Sequence, residues 1–169
     1  MSMIAAGTGH RPDKLGGWDN VPAFYRVVNL AVEALEENDI VGVVSGMAAG
    51  WDLALAHAAM ELDIHLMCAI PFEGQELRWS NFWRQIYGEA REYATEERVL
   101  YTPNTDVYYE VAKALKDRND WMVNYIQSKN GKILALWNGS KGGTAHCIRS
   151  AERSKIEVVN YWSRYGNSS

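Results

Sequence analysis

Lys132-Ile133-Leu134-Ala135-Leu136-Trp137 runs directly into Asn138-Gly139-Ser140-Lys141-Gly142-Gly143-Thr144, and a stretch of helical character follows. A short apolar run bounded by Asn and Gly reads as a strand covered on both faces. Paired glycines before a helix expose backbone amides where the helix dipole favours an anion. This strand–loop–helix unit sets the pattern for the whole chain. Met3-Ile4-Ala5-Ala6, Ile40-Val41-Gly42-Val43-Val44, His65-Leu66-Met67-Cys68-Ala69-Ile70, Arg98-Val99-Leu100-Tyr101 and Ile156-Glu157-Val158-Val159-Asn160-Tyr161 are further strand candidates. Between them, apolar residues recur at helical spacing: Phe24, Val27, Val28, Ala31 and Leu35; Trp79, Phe82, Trp83, Ile86, Ala90 and Tyr93; Tyr108, Val111, Leu115, Met122 and Ile126. Alternating strands and helices predict a single-domain α/β three-layer sandwich with a mostly parallel sheet, spanning residues 1–165 and ending in a flexible tail at 166–169. No internal repeat or linker interrupts it.

Composition narrows the function. At 169 residues the chain is long enough to bury a core without metals or disulfides. The formal charge of -4 comes with no Lys/Arg block, which argues against broad nucleic-acid binding while leaving room for a local basic cleft. Cys68 and Cys147 fit no metal or redox spacing and read as reduced core thiols of a cytoplasmic protein. Met1-Ser2-Met3-Ile4 lacks the basic start of a signal peptide, and no apolar stretch reaches the ~18 residues of a membrane span.

In an open α/β sheet, ligands bind beyond the C-terminal strand ends, so the loops after the strands are the candidate site. Gly7-Thr8-Gly9-His10-Arg11 offers glycines that let the backbone turn and approach a ligand, a hydroxyl, and a forked cation suited to phosphate. Ser45-Gly46-Met47-Ala48-Ala49-Gly50-Trp51-Asp52 places small residues at a helix start, with Asp52 either capping that helix or accepting from a ribose hydroxyl. Pro71 and Phe72, with Gln75 and Trp79, offer aromatic stacking and an amide to read a base edge. Asn138, Gly139, Gly142, Gly143 and Thr144 form the best phosphate cradle, with Thr144 at the expected N-cap and Lys141 adding charge. Arg118 and Asn119 precede Trp121-Met122-Val123, and Asn119 falls on an otherwise apolar helix face. No G-x-S-x-G elbow, H-E-x-x-H or Walker pattern is present.

Together these loops resemble the SLOG superfamily, the group joining DprA/Smf and the Lonely Guy proteins. Gly7-Thr8-Gly9-His10-Arg11-Pro12 with Lys14-Leu15-Gly16-Gly17 looks like the opening signature of its YpsA-like branch. Arg118-Asn119-Asp120-Trp121-Met122-Val123 and Trp137-Asn138-Gly139 through Gly142-Gly143-Thr144 resemble later blocks. Val44-Ser45-Gly46-Met47-Ala48-Ala49-Gly50-Trp51-Asp52 is similar to the S-G-x-A-x-G-x-D segment of DprA. The resemblance implies a Rossmann-like nucleotide-binding fold, often homo-oligomeric. Two departures stand out. The glutamate that closely follows the Lonely Guy glycine motif is replaced by Ala145-His146-Cys147, with Glu152 the nearest Glu after them, and Ala49 stands where DprA usually carries Arg.

Three functions are expected to compete. The first is binding or sensing of a nucleotide-derived phosphate, with Arg11 and the 142–144 amides on phosphate, the 46–50 amides lining the second wall, and Asp52 or Asn119 on ribose or base. The second is cleavage of a nucleotide N-glycosidic bond, for which Asp52, Glu73 and Glu152 are the candidate carboxylates. The third is DprA-like single-strand DNA binding. No metal and no further cofactor is called for.

Overall fold

A computed structural model of the chain describes residues 3–102 and 108–167. Its strands are β1 (Met3–Gly9), β2 (Ile40–Ser45), β3 (His65–Phe72), β4 (Glu96–Tyr101), β5 (Lys132–Leu136) and β6 (Val158–Asn160). Its α-helices are α1 (Val21–Glu37), α2 (Trp51–Glu61), α3 (Asn81–Tyr93), α4 (Tyr108–Ser128), α5 (Gly143–Arg153) and α6 (Trp162–Asn167), with a 3-10 turn at Pro12–Lys14. Every strand pairing is parallel, in the order β4-β3-β2-β1-β5-β6.

Adjacent strand residues feed opposite layers, which is why the strands are apolar throughout. Ala5, Val43, Cys68 and Leu134 join the core under α1, α2 and α3, while Ala6, Val44, Ala69 and Ile133 join the core under α4 and α5. The chain lays β1 to β4 outward with its helices on one face, then crosses on α4 to β5 and continues with α5 on the other face, as right-handed crossovers require. The α/β three-layer reading therefore holds.

Helix α2 is buried along almost its whole length. It lies against both α1 and α3, and alanines 54, 56, 58 and 59 are all fully buried. Its approach to β1 leaves no room for side chains there: a Cβ on Gly9 would sit 2.6 Å from Trp51 Cβ, and one on Gly7 would overlap Leu55. Gly7, Thr8 and Gly9 thus extend β1, and the first and third of them are glycine because of packing, which corrects the expectation of a turn after Ala6. Trp51, fully buried, donates its indole N–H to Leu134 O at 2.9 Å, pinning α2 over β1 and β5.

The short helix α6 escaped the sequence reading. Gly166 and Asn167, assigned there to the tail, close this helix, while Ser168 and Ser169 lie outside the described residues. Of Tyr108, placed on the apolar face of α4, only the backbone is described.

Candidate functional site

Strands β1 and β5 are neighbours, yet the loops leaving them turn to opposite faces, β1 towards α1 and β5 towards α5. Such a switch point opens a crevice beyond the C-terminal strand ends. Here it holds a cavity of about 300 Å³. The walls come from the ends of β1 and β5, from the β2–α2 loop and from α4.

The first wall is the end of β1. The His10 backbone N–H donates to Leu136 O at 3.0 Å, carrying the β1–β5 ladder one residue beyond the strands. The His10 ring is buried, edge-on to Trp162 at 5.4 Å, and its Nε2 accepts the Asn138 backbone N–H at 3.0 Å. That bond requires an unprotonated Nε2, so the neutral ring carries its proton on Nδ1. Burial holds His10 below its ordinary value of 6.5, with the Asn138 side chain pulling the other way. A lowered histidine pKa means the unfolded chain takes up a proton that the folded chain refuses, so stability is complete above pH 6.5 and falls as acid is added below it. An NMR titration of the His10 ring is expected to give a midpoint under 6.5, and His10→Gln to flatten that part of the stability profile. A midpoint at or above 6.5 contradicts the burial argument. Beyond His10, Arg11 is exposed on the rim, with Asp13 and Lys14 beside it.

The second wall is the β2–α2 loop. Ser45 Oγ donates to Asp52 O at 2.8 Å and accepts the Met47 N–H at 3.1 Å. Met47, fully buried, is held at φ 64°, a left-handed conformation that a side chain tolerates only when its surroundings enforce it. Gly50, at φ 99°, sits directly against the His10–Arg11 backbone, where a Cβ would come 2.9 Å from Arg11 Cα and closer still to His10 O. Asp52 does not cap α2: Gly50 is the N-cap, and no side chain bonds the helix start. Instead Asp52 Oδ2 accepts from Ala48 N–H at 3.4 Å, while no protein group bonds Oδ1.

The third wall is α4, whose Arg118 and Asn119 are only 6% exposed, as is Asp52. Arg118 Nη1 donates to Gly46 O at 2.5 Å and Nε to Asn119 Oδ1 at 3.2 Å, and Asn119 Nδ2 reaches Gly143 O at 3.3 Å. Burial opposes charge on both ions, raising Asp52 above the usual carboxylate value and lowering Arg118 below the usual guanidinium value, and each counteracts the shift of the other.

The fourth wall is the β5–α5 loop. Asn138 Oδ1 accepts from Ser140 N–H at 3.0 Å, and the Trp137 indole donates to Ser140 O at 2.8 Å, so the loop is tied to itself. The helix begins two residues earlier than expected: Gly142, at φ 141°, is the N-cap, Gly143 is the first residue, and Thr144 lies inside the first turn. No side chain caps it, leaving the first-turn amides to face the hollow. A Cβ on Gly143 would meet nothing within 4 Å. Packing inside the protein does not demand glycine there.

Of the residues singled out in the sequence, Gly7, Thr8, Gly9, His10, Arg11, Ala48, Asp52, Arg118, Asn119, Gly142, Gly143 and Thr144 line this one cavity. Ser45, Gly46, Met47, Gly50, Asn138 and Gly139 are not in the lining and belong to the loops that form its walls, Asn138 and Gly139 on the exposed side. The remaining candidates belong elsewhere, because β3 stands two strands from the switch point. Pro71 ends in the sheet, Phe72 pairs with Tyr101 of β4, and Trp79 packs edge-on against Tyr87 at 5.8 Å. Gln75 reaches only the underside of the site, 3.5 Å from Gly46 O. Glu73 is engaged by Arg91 at 2.6 Å, which holds its carboxyl below the usual range, and Glu152 is exposed two turns along α5. Neither lines the cavity. Lys141, expected to add charge to the cradle, lines the cavity too, and five further lining residues were not put forward as ligand contacts: Asp13, Lys14, Leu115, Trp137 and Ser140. Leu115 was findable, since it lies one helical turn before Arg118 and Asn119. The lining carries four cations, Arg11, Lys14, Arg118 and Lys141, against two carboxylates, Asp13 and Asp52.

No family model matches the chain. Over 174 residues it is 25% identical to a UPF0398 protein of Bacillus thuringiensis (strain Al Hakam), covering 98% of this chain and 90% of that relative. UPF0398 proteins of Bacillus cereus strains AH187 and AH820 give the same figures. Among solved structures, DNA processing protein A (DprA) from Streptococcus pneumoniae superposes with a TM-score of 0.58 at 15% identity over 94% of this chain. The chain spans half the length of that DprA chain. The structure of TM1055 gives 0.54 at 13% identity over 92% of this chain and 72% of the other. The chain is thus similar over nearly its whole length to UPF0398 proteins and shares its fold with DprA and TM1055, in agreement with the SLOG resemblance of the glycine-bearing blocks around the switch point.

Proposed function

We propose that the switch-point cavity binds a nucleotide or nucleotide-derived phosphate and that the protein works as a binding or sensing module for it. The observation that carries this reading is the uncapped start of α5 opening into the same hollow as Arg11, Lys14, Arg118 and Lys141. Free amides and a local excess of positive charge are what a phosphate needs, and neither is explained by folding alone. Two buried, unpaired cysteines suit a reducing compartment, so the cytoplasm is the proposed location. Assembly into a homo-oligomer, implied by the family, belongs to the same proposal. Among the described residues no helix is long and apolar enough to cross a membrane.

Isothermal titration against AMP, ADP-ribose, NAD, cyclic nucleotides and pyrophosphate tests the reading, and silence across the panel at high micromolar concentration refutes it. Gly143→Ala separates binding from stability. Alanine at the start of α5 meets open space, so the fold is expected to be unchanged or more stable by up to about 1 kcal/mol. The added methyl enters the cradle, and affinity for whichever panel member binds is expected to fall about tenfold or more. Equal affinity in Gly143→Ala and wild type removes the α5 amides from the site.

The glycosidase alternative narrows to Asp52, the one of its three candidate carboxylates at the cavity. Release of free base from AMP, lost in Asp52→Asn, is the result that favours it.

A further inference from the structure

Two buried side chains in the cavity wall offer a carboxylate or amide oxygen as acceptor, Asp52 and Asn119, and the sequence did not choose between them. Their hydrogen bonds do. Asn119 is committed on both sides: its Oδ1 accepts from Arg118 Nε, and its Nδ2 donates to Gly143 O. It is a strut joining Arg118 to the start of α5. Asp52 has a single long bond, 3.4 Å from Ala48 N–H to Oδ2, and its Oδ1 is buried without a donor. A buried acceptor left unsatisfied costs about 1–3 kcal/mol, and such a group in a native fold calls for an explanation.

We infer that Asp52 is the sugar-reading residue of this site: it accepts a hydrogen bond from a ribose hydroxyl of the bound phosphate compound and so selects ribose over deoxyribose. The inference rests on the phosphate-binding reading of the same cavity. The partner Asp52 awaits is a neutral donor, because a cationic group on the ligand would be repelled by Arg11, Lys14, Arg118 and Lys141 around the same hollow. It is a sugar hydroxyl rather than a base amine because the space is small. About 300 Å³ is the lower end of the range for ligand sites, and the α5 amides and Asp52 share it. A donor that meets Asp52 from a phosphate held in the same hollow is carried by the sugar, and the base lies further out.

The carboxylate is positioned for this task. Ser45 Oγ fixes its backbone at 2.8 Å, and a Cβ on Gly46 would stand 2.8 Å from Asp52 Oδ2 and 3.0 Å from Arg118 Cζ, so glycine lets both side chains gather over it. Asp52 lines the hollow, and a small turn about its soft terminal torsion presents a carboxylate oxygen to a donor there.

The test is calorimetric titration of the full chain with AMP, 2′-deoxy-AMP, 3′-deoxy-AMP, ribose 5-phosphate and pyrophosphate. A hydrogen bond to a charged acceptor corresponds to about tenfold or more in affinity, so at least one deoxy analogue is expected to bind about tenfold more weakly than AMP, and ribose 5-phosphate to compete with AMP. In Asp52→Ala the three AMP compounds are expected to converge. If AMP and both deoxy analogues bind wild type within about twofold of one another while pyrophosphate also binds, the role of Asp52 is overturned and the phosphate site stands. If no probe binds, pyrophosphate included, the phosphate site falls and the inference with it. The wild-type series decides the matter even should Asp52→Ala fail to fold.

Discussion

Arg118→Met is expected to destabilise the fold by about 3–5 kcal/mol at neutral pH, because it removes one member of a buried, interacting pair of charges. The guanidinium is only 6% exposed and is held by Gly46 O and Asn119 Oδ1. Its charge also counteracts the burial that raises the Asp52 pKa. Without it that pKa climbs further. The sign of the pH dependence follows from the proton count. A carboxyl whose folded pKa lies above its unfolded value of 3.8 binds more protons in the folded state, so its penalty is absent in acid and grows as pH rises through the folded value. Urea unfolding at pH 5 and pH 8 is therefore expected to show a smaller deficit for Arg118→Met at the lower pH. Adding Asp52→Asn is expected to restore part of the loss, since the stranded charge goes with it. A deficit under about 1 kcal/mol, or one that deepens on acidification, contradicts the coupling.

Gly50→Ala is expected to cost about 2–5 kcal/mol, the sum of a left-handed backbone strain of about 1–2 kcal/mol and overpacking of about 1–3 kcal/mol. The position combines φ 99° with contact against the backbone of His10 and Arg11, which cannot give way as a flexible side chain does. The Trp51 N–H bond to His10 O, at 3.1 Å, joins the same two loops and is expected to break as they separate. Ligand affinity is expected to be lost with it, because His10 and Arg11 move together. Gly143→Ala is the matched contrast: the same substitution, set in open space, leaves stability intact and reduces binding. Thermal unfolding of the two variants side by side separates a glycine needed by the fold from one needed by the cradle.

How much of this was legible in the sequence differs from loop to loop. The strands announced themselves because a central parallel strand is apolar on both faces; Val43 and Val44 serve opposite cores and both must be apolar. The end of β1 was misread because Gly7 and Gly9 are turn-formers locally, whereas the reason for them lies in Leu55 and Trp51 on a helix more than 40 positions away. Helix α6, six residues long, is too short for a period to show. Arg11, Asp52, Arg118 and Asn119 were found because polar residues next to strand ends or on an apolar face are out of place there. Phe72, Gln75 and Trp79 were drawn in for the same local reason and are excluded by strand order, which a sequence does not carry. Lys14 and Trp137 were quoted for their family likeness without being recognised as walls of the hollow.

The pairing of β1 with both β2 and β5 bears on how the polypeptide is made. Strand β1 is central and is made well before β5, so one of its edges stays open until residues 132–136 emerge to pair with it. For most of synthesis, then, Ala5, Ala6 and Gly7 present an unpaired ladder to other nascent chains. A message truncated between β4 and β5 would yield a product with that edge permanently bare and the first strand of the sandwich free to recruit its neighbours into aggregates.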